Sequence, residues 1–362
     1  MNKSSVLDKI KPGIRAISAY SLEEYDYDIK INQNENPNDV PRELKQEVLD
    51  FALTRSWSRY PPFIPAELFE GLAGYTGWKT DGILVGNGSN ELIQAIMTVF
   101  LKPGDKLVIP APTFTLYRLL GNISGADVIE VPLKSDYTYD CDALEEKFLS
   151  VGDIVVICSP NNPTGALYPI ERLENILKKT SCPVIVDEAY FEFSRVTATK
   201  FLDSYDNLII LRTFSKAFSL AGLRIGYALM NPELAREVEK AKLPYNIDFF
   251  SITAGAKLLE NLNMLEKSTK EIIAERDPMI QTMNSIDGVT AYPSKANFIL
   301  FETPYDPKSV FSGLLEDGIL VRDVSSYPML GKALRATVST PQDNRRFIQS
   351  LERLMKGGID AK

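Results

Sequence analysis

Residues 207–227, NLIILRTFSKAFSLAGLRIGY, pass from an apolar run into a polar turn and out again. The first five residues are short and uncharged, the pattern of a parallel strand buried on both faces. Ser215, Lys216 and Arg224 then fall near the carboxyl end of that strand, where ligands of open α/β sheets bind. Lys216 stands among Phe214, Ala217, Phe218 and Leu220, so burial should depress its pKa and free the amine to attack a carbonyl. Arg224, eight residues on, offers a planar fork suited to a phosphate. A Ser-Lys pair after a strand is a weak signal by itself, because most lysines are solvated surface charges. The flanking segments decide it.

Outward from this stretch, residues 82–230 alternate strand-like runs with helical ones. LVIPAP (107–112), DVIEVPL (127–133), DIVVICSP (153–160) and PVIVDEAY (183–190) read as strands, while ELIQAIMTVFL (91–101) and ERLENILKK (171–179) read as helices. Such alternation implies an α/β fold: a mostly parallel sheet sandwiched by helices. GYALM (226–230) follows the preceding strand so closely that it fits an antiparallel insertion. After residue 262 the pattern changes to a long polar helix and then strands with helices, which implies a smaller α+β domain. The expected division is a large domain over 34–262 and a small one over 263–362. Residues 1–33 join the two, wrapping the small domain or reaching a partner subunit.

Composition removes several chemistries. The 362 residues contain no histidine, which excludes Ser-His-Asp hydrolysis, Cys-His catalysis and histidine-ligated metal, so no metal site is expected. Cys141, Cys158 and Cys182 have neither disulfide nor zinc spacing. Forty Lys+Arg against 48 Asp+Glu, with no basic block, argue against nucleic acid. No run of 18 apolar residues and no signal-peptide core is seen, so the expected location is the cytoplasm, away from membranes.

Four further segments each follow a strand-like run. GNGSNELIQAI (86–96) opens a helix, whose amino terminus makes Ser89 and Asn90 a candidate phosphate cradle or simply its cap. Phe114, at the start of the next helix, could stack on an aromatic ring or fill the core. In SPNNPTG (159–165) the asparagines are turn formers, or Asn162 donates its amide to a phenolate-like oxygen. VDEAYFEF (186–193) places Asp187 at a strand end as a cap or as partner of a pyridine nitrogen, with Tyr190 in reach of the same oxygen as Asn162. An amine for an aldehyde, a cation for a phosphate and a carboxylate for a ring nitrogen together match pyridoxal 5'-phosphate (PLP). A dinucleotide-binding turn would need GxGxxG, and GNGSNE lacks the third glycine.

Taken in this order, with ISAY (17–20), NENP (34–37), RYP (59–61), VRD (321–323) and LRATVS (334–339), the chain resembles the fold-type I, class I/II aminotransferases over nearly its whole length. The likeness is closest to their histidinol-phosphate aminotransferase family, which works in histidine biosynthesis. The resemblance implies Lys216 as the Schiff-base lysine, Asp187 at the ring nitrogen, Asn162 and Tyr190 at the ring hydroxyl, and Phe114 over the ring. It also implies Ser89, Asn90, Ser215 and Arg224 around the cofactor phosphate, with Tyr60 joining them from the second subunit of a homodimer. Arg335 is implied for the substrate carboxylate, and Tyr20 and Arg322 for the substrate's phosphate. The expected partners are an amino donor and a 2-oxo acid, 2-oxoglutarate foremost. Aromatic or broad-specificity aminotransferases, threonine-phosphate decarboxylase-like enzymes and a non-catalytic PLP-binding module remain as alternatives. Three departures touch the substrate assignment more than the cofactor: Asn38-Asp39 after NENP, Pro62 after RYP, and Ser339 after LRATV.

Overall fold

The computed structural model describes residues 6–15 and 23–357. A two-residue strand, β1 (Ile29–Lys30), precedes the main sheet, which is built from β2 (Ile83–Asn87), β3 (Lys106–Ala111), β4 (Asp127–Pro132), β5 (Ile154–Cys158), β6 (Val184–Asp187), β7 (Leu208–Thr213) and β8 (Ile225–Met230). A second set comprises β9 (Thr290–Ala291), β10 (Phe298–Glu302), β11 (Ile319–Leu320), β12 (Arg322–Asp323) and β13 (Ala333–Thr337).

The main sheet has the order β2-β8-β7-β6-β5-β3-β4, and only β8 runs antiparallel to its neighbours. The expected antiparallel insertion is therefore GYALM, which wedges between β2 and β7. Every residue of β5, β6, β7 and β8 is buried, which explains their unbroken apolar runs: helices cover both faces. Helix Ile170–Lys179 shows how the cover is made, turning Leu173, Ile176 and Leu177 inward while its charges face out. Each such side chain contributes roughly 1.5–3 kcal/mol when fully buried.

The smaller sheet is antiparallel, ordered β12-β13-β10-β9, with the long helix Leu262–Asn284 before it and the helix Pro341–Gly357 after it. β1 pairs in parallel with β11, which ties the amino-terminal segment to this part of the chain. Main-sheet order reverses direction between β3 and β5, the switch point at which open sheets leave a crevice.

Candidate functional site

A cavity of about 660 Å³ opens at the carboxyl ends of β3, β5, β6 and β7. It is lined by Ser89, Asn90, Phe114, Asn162, Asp187 and Tyr190, and by Ser215, Lys216, Arg224, Arg322 and Arg335. Residues far apart in sequence thus meet because most of them end a strand of the main sheet or lie in the turn or helix start behind one, while Arg322 and Arg335 come from β12 and β13 of the smaller sheet. Tyr60 is not among them: it is 79% exposed and stacks on Tyr245 at 4.4 Å. Tyr20 lies outside the described residues.

β7 ends at Thr213, and the turn behind it carries Lys216 into the cavity. The ammonium donates to the backbone carbonyl of Gln33 at 2.8 Å. Burial pulls its pKa down to about 7, and the charges of Arg335, Arg224 and Lys30 push the same way against Glu35. At neutral pH the amine is therefore largely poised between its two forms.

Asp187, the last residue of β6, is 3% exposed. Burial raises its carboxyl to about 6, and hydrogen bonds from the Tyr117 hydroxyl (2.6 Å) and the Ala189 N–H (3.0 Å) oppose that rise. A carboxylate accepts about four hydrogen bonds, so two donors leave room for a third facing the cavity.

The two asparagines of the SPNNPTG turn divide the two readings offered for them. Asn161 is fully buried and builds the turn, accepting from Thr113 Oγ1 and donating to Pro112 O and Thr164 Oγ1. Asn162 faces the cavity, and its Oδ1 accepts from Arg335 Nη1 at 2.5 Å, so its amide N–H groups are what it can offer a ligand. Arg335 also donates to the carbonyl of Asn32 and lies over the Phe298 ring. Tyr190 accepts from Asn34 Nδ2 at 2.9 Å, and burial keeps its phenol protonated.

At the far end, the helix Gly88–Phe100 starts two or three residues ahead of the place implied by Ser89 or Asn90 as its cap. Its cap position is Asn87, without a side-chain cap bond, which corrects the reading of Ser89 or Asn90 as the cap. Gly88 N–H is taken by the Arg224 carbonyl, and the helix ladder does not reach the N–H groups of Ser89 and Asn90. Arg224 donates to Ser215 Oγ at 3.1 Å, and Ser215 in turn meets Thr213 Oγ1 at 3.0 Å. Two glycines allow this closeness. A Cβ on Gly226 would sit 2.1 Å from Ser89 N, and one on Gly88 would sit 2.4 Å from Arg224 Nη2.

Several lining residues carry no signal strong enough to find from sequence. Tyr117 lies three residues after Phe114 and reads as a core aromatic. Asn32, Gln33, Asn34 and Glu35 also line the cavity, and of these only Asn34 and Glu35 belong to a recognisable stretch, NENP, which carries a family likeness but no role of its own. Tyr327 joins Arg322 in the lining.

The model of the family described as "Aminotransferase class I and II" matches residues 27–351. The chain belongs to that family. It is 35% identical over 353 residues to a histidinol-phosphate aminotransferase of Chlorobium chlorochromatii (strain CaD3), covering 97% of each chain. A crystal structure of the histidinol-phosphate aminotransferase from Clostridium acetobutylicum superposes with a TM-score of 0.84 at 26% identity, covering 91% of this chain and 99% of that one. A histidinol-phosphate aminotransferase from Sinorhizobium meliloti, in complex with pyridoxal-5'-phosphate, shares the fold with a TM-score of 0.87 at 22% identity, covering 98% and 99%. The fold is that of the fold-type I PLP-dependent enzymes, and the chain is a PLP-dependent aminotransferase. The cavity fits the cofactor. It presents a near-neutral amine, a buried carboxylate with acceptor capacity to spare, and helix N–H groups beside a guanidinium and a serine.

Proposed function

We propose that this aminotransferase moves the amino group of histidinol phosphate to 2-oxoglutarate, giving imidazole acetol phosphate and glutamate in histidine biosynthesis. The observation that carries the reading is one cavity holding a desolvated lysine between a buried carboxylate and two further guanidinium groups, those of Arg335 and Arg322. The names of relatives 35–39% identical support the choice of donor.

PLP supplies an aldehyde that takes up the amino group and a ring that draws electrons from the substrate's α-carbon. Ser89, Asn90, Ser215 and Arg224 would hold its phosphate, with Tyr60 of a second copy. Phe114 would cover the ring, Asp187 would pair with the ring nitrogen, and Asn162 and Tyr190 would donate to the ring oxygen. Lys216 would hold the cofactor's aldehyde end, and its amine would move the proton at the donor's α-carbon. A pKa near 7 suits that task, since the amine must both give and accept a proton. Histidinol phosphate has no carboxylate whereas glutamate has two, so Arg335 and Arg322 must serve both substrates; the family resemblance assigns Tyr20 to the substrate phosphate. A guanidinium fork can donate to either anion.

A homodimer follows from the same reading. Leu53, Trp57, Tyr60, Phe63, Ile64 and Leu243 are each more than 60% exposed, an apolar surface that a second copy would cover. We take 34–262 and 263–362 as the two domains, linked by 1–33, and place the enzyme in the cytoplasm. Three free cysteines support that location, and no described helix is long and apolar enough to cross a membrane.

The test is glutamate formation by purified holoenzyme given 2-oxoglutarate with histidinol phosphate, phenylalanine or threonine phosphate singly. Histidinol phosphate should be turned over fastest. Turnover of phenylalanine with none of histidinol phosphate refutes the donor, as does carbon dioxide release from threonine phosphate without keto product. Full turnover by Lys216→Ala refutes the site itself.

A further inference from the structure

Asp187 is held by a phenol. Tyr117, in the helix Leu116–Ser124, is fully buried and its hydroxyl donates to Asp187 Oδ2 at 2.6 Å, while Oδ1 takes the Ala189 N–H. The Tyr117 ring stands edge-on to Phe114 at 5.6 Å and 86°, so the start of one helix supplies both an aromatic wall of the cavity and the donor to its carboxylate.

We infer that Tyr117 is a positioning residue for the cofactor: its hydroxyl fixes the orientation of Asp187 and holds its carboxylate in the charged form that a pyridine nitrogen requires. The inference rests on the proposed role of Asp187. The titratable groups that act on this carboxylate are Tyr117 from the helix, Cys158 from β5, Tyr139 from the loop before the next helix, and Glu188 and Tyr190 on its own segment. None of them is a cation. Among the described residues, charge on Asp187 is therefore sustained by hydrogen bonds and not by an ion pair, and Tyr117 is its side-chain donor. A phenol suits the task in a chain without imidazole, because burial raises the pKa of Tyr117 well above 10 and it stays a donor throughout the neutral range. Its spacing from Phe114 also fits: Tyr117 N–H bonds back to the Phe114 carbonyl, which locks wall and donor into one turn.

The test is a double-mutant cycle on cofactor affinity. Holoenzymes of the wild type, Tyr117→Phe, Asp187→Asn and the double variant are dialysed against falling PLP concentrations, and bound cofactor is read by absorbance. A hydrogen bond to a charged group sets the scale, so Tyr117→Phe should weaken PLP binding roughly ten- to a hundredfold. In the Asp187→Asn background the same change should cost less than about twofold, because no carboxylate remains to be held. Equal losses in both backgrounds make Tyr117 a core ring only and overturn the inference. Wild-type affinity in Asp187→Asn overturns the role of Asp187 and this inference with it, an outcome distinct from the first. Should Tyr117→Phe fail to fold, the double variant decides: folding restored by Asp187→Asn supports coupling through the carboxylate, and failure of both overturns it.

Discussion

Lys216→Met offers a test of the lysine's environment that needs no substrate. A lysine in the unfolded chain titrates near 10.4, whereas burial among cations holds Lys216 at about 7 in the folded protein. Between those values the unfolded chain binds a proton that the folded chain does not, so wild-type stability rises with pH through that window. The folded amine below pH 6 costs about 5 kcal/mol (3.4 units at about 1.4 kcal/mol each), falling to about 2 kcal/mol at pH 9. Lys216 lines the cavity and is only half-buried, so solvent screening makes these upper values. Methionine removes the titration but also deprives the Gln33 carbonyl of its donor, a pH-independent loss of about 1 kcal/mol. Cofactor-free Lys216→Met should therefore be more stable than the wild type at pH 6, by up to about 4 kcal/mol, and the advantage should shrink by about 3 kcal/mol on going to pH 9. Urea denaturation at pH 6, 7.5 and 9 measures the difference. A difference that stays level across that range, or that grows with pH, refutes the claim that Lys216 is desolvated.

Gly226→Ala should push β8 away from the start of the helix Gly88–Phe100, since the new Cβ meets the backbone of Ser89 and Gly88 at 2.1 and 2.4 Å. The expected cost is about 1–3 kcal/mol together with weaker PLP retention, read by melting and by dialysis. Arg212 and Glu188 are each 2% exposed and paired at 2.8 Å, so Arg212→Met strands a buried carboxylate and should cost about 3–5 kcal/mol in urea. Arg212→Met with Glu188→Gln should recover much of that loss. Burial raises Glu192 to about 7, so wild-type stability should fall as pH rises from about 4.5 to 7. Glu192→Gln should flatten that dependence, measured as melting temperature against pH.

Much of this was legible because period and punctuation agree. Strands buried on both faces are apolar over most of their length, so β5 to β8 announced themselves; Asp187 and Thr213, which end β6 and β7, line the crevice, whereas Arg212 breaks the run of β7 by pairing with Glu188 in the interior. What stayed hidden depends on contacts between distant segments. Nothing local marks Gln33 as the partner of Lys216, 183 positions away, because the contact uses its backbone carbonyl. Tyr117 carries no local mark beyond being an aromatic three residues after Phe114; it is buried in the core, and its hydroxyl meets Asp187, 70 positions away. Asn87 displaced Ser89 as the cap because Arg224 supplies its carbonyl to Gly88, again a long-range contact.

The want of histidine gives these contacts a common logic. Within the cavity, the groups expected to change protonation near neutrality are the amine of Lys216, at about 7, and the carboxyl of Asp187, at about 6. Burial shifts both, in opposite directions, toward the same range. The neighbours that touch them hold their protons firmly: the phenols of Tyr117 and Tyr190 are raised by burial, and Arg335 and Arg224 carry permanent charge. A proton entering this site therefore has two places to go, one on each side of the cofactor ring in the proposed arrangement. Adding a cation beside Asp187, as Tyr117→Lys would, should lower its pKa and leave Lys216 with a further like charge in the same cavity. The two shifts would widen the carboxyl's charged range while holding the amine more firmly neutral, and the pH profile of turnover should broaden on its acid side. A profile that narrows instead would show that the two groups titrate as one coupled pair.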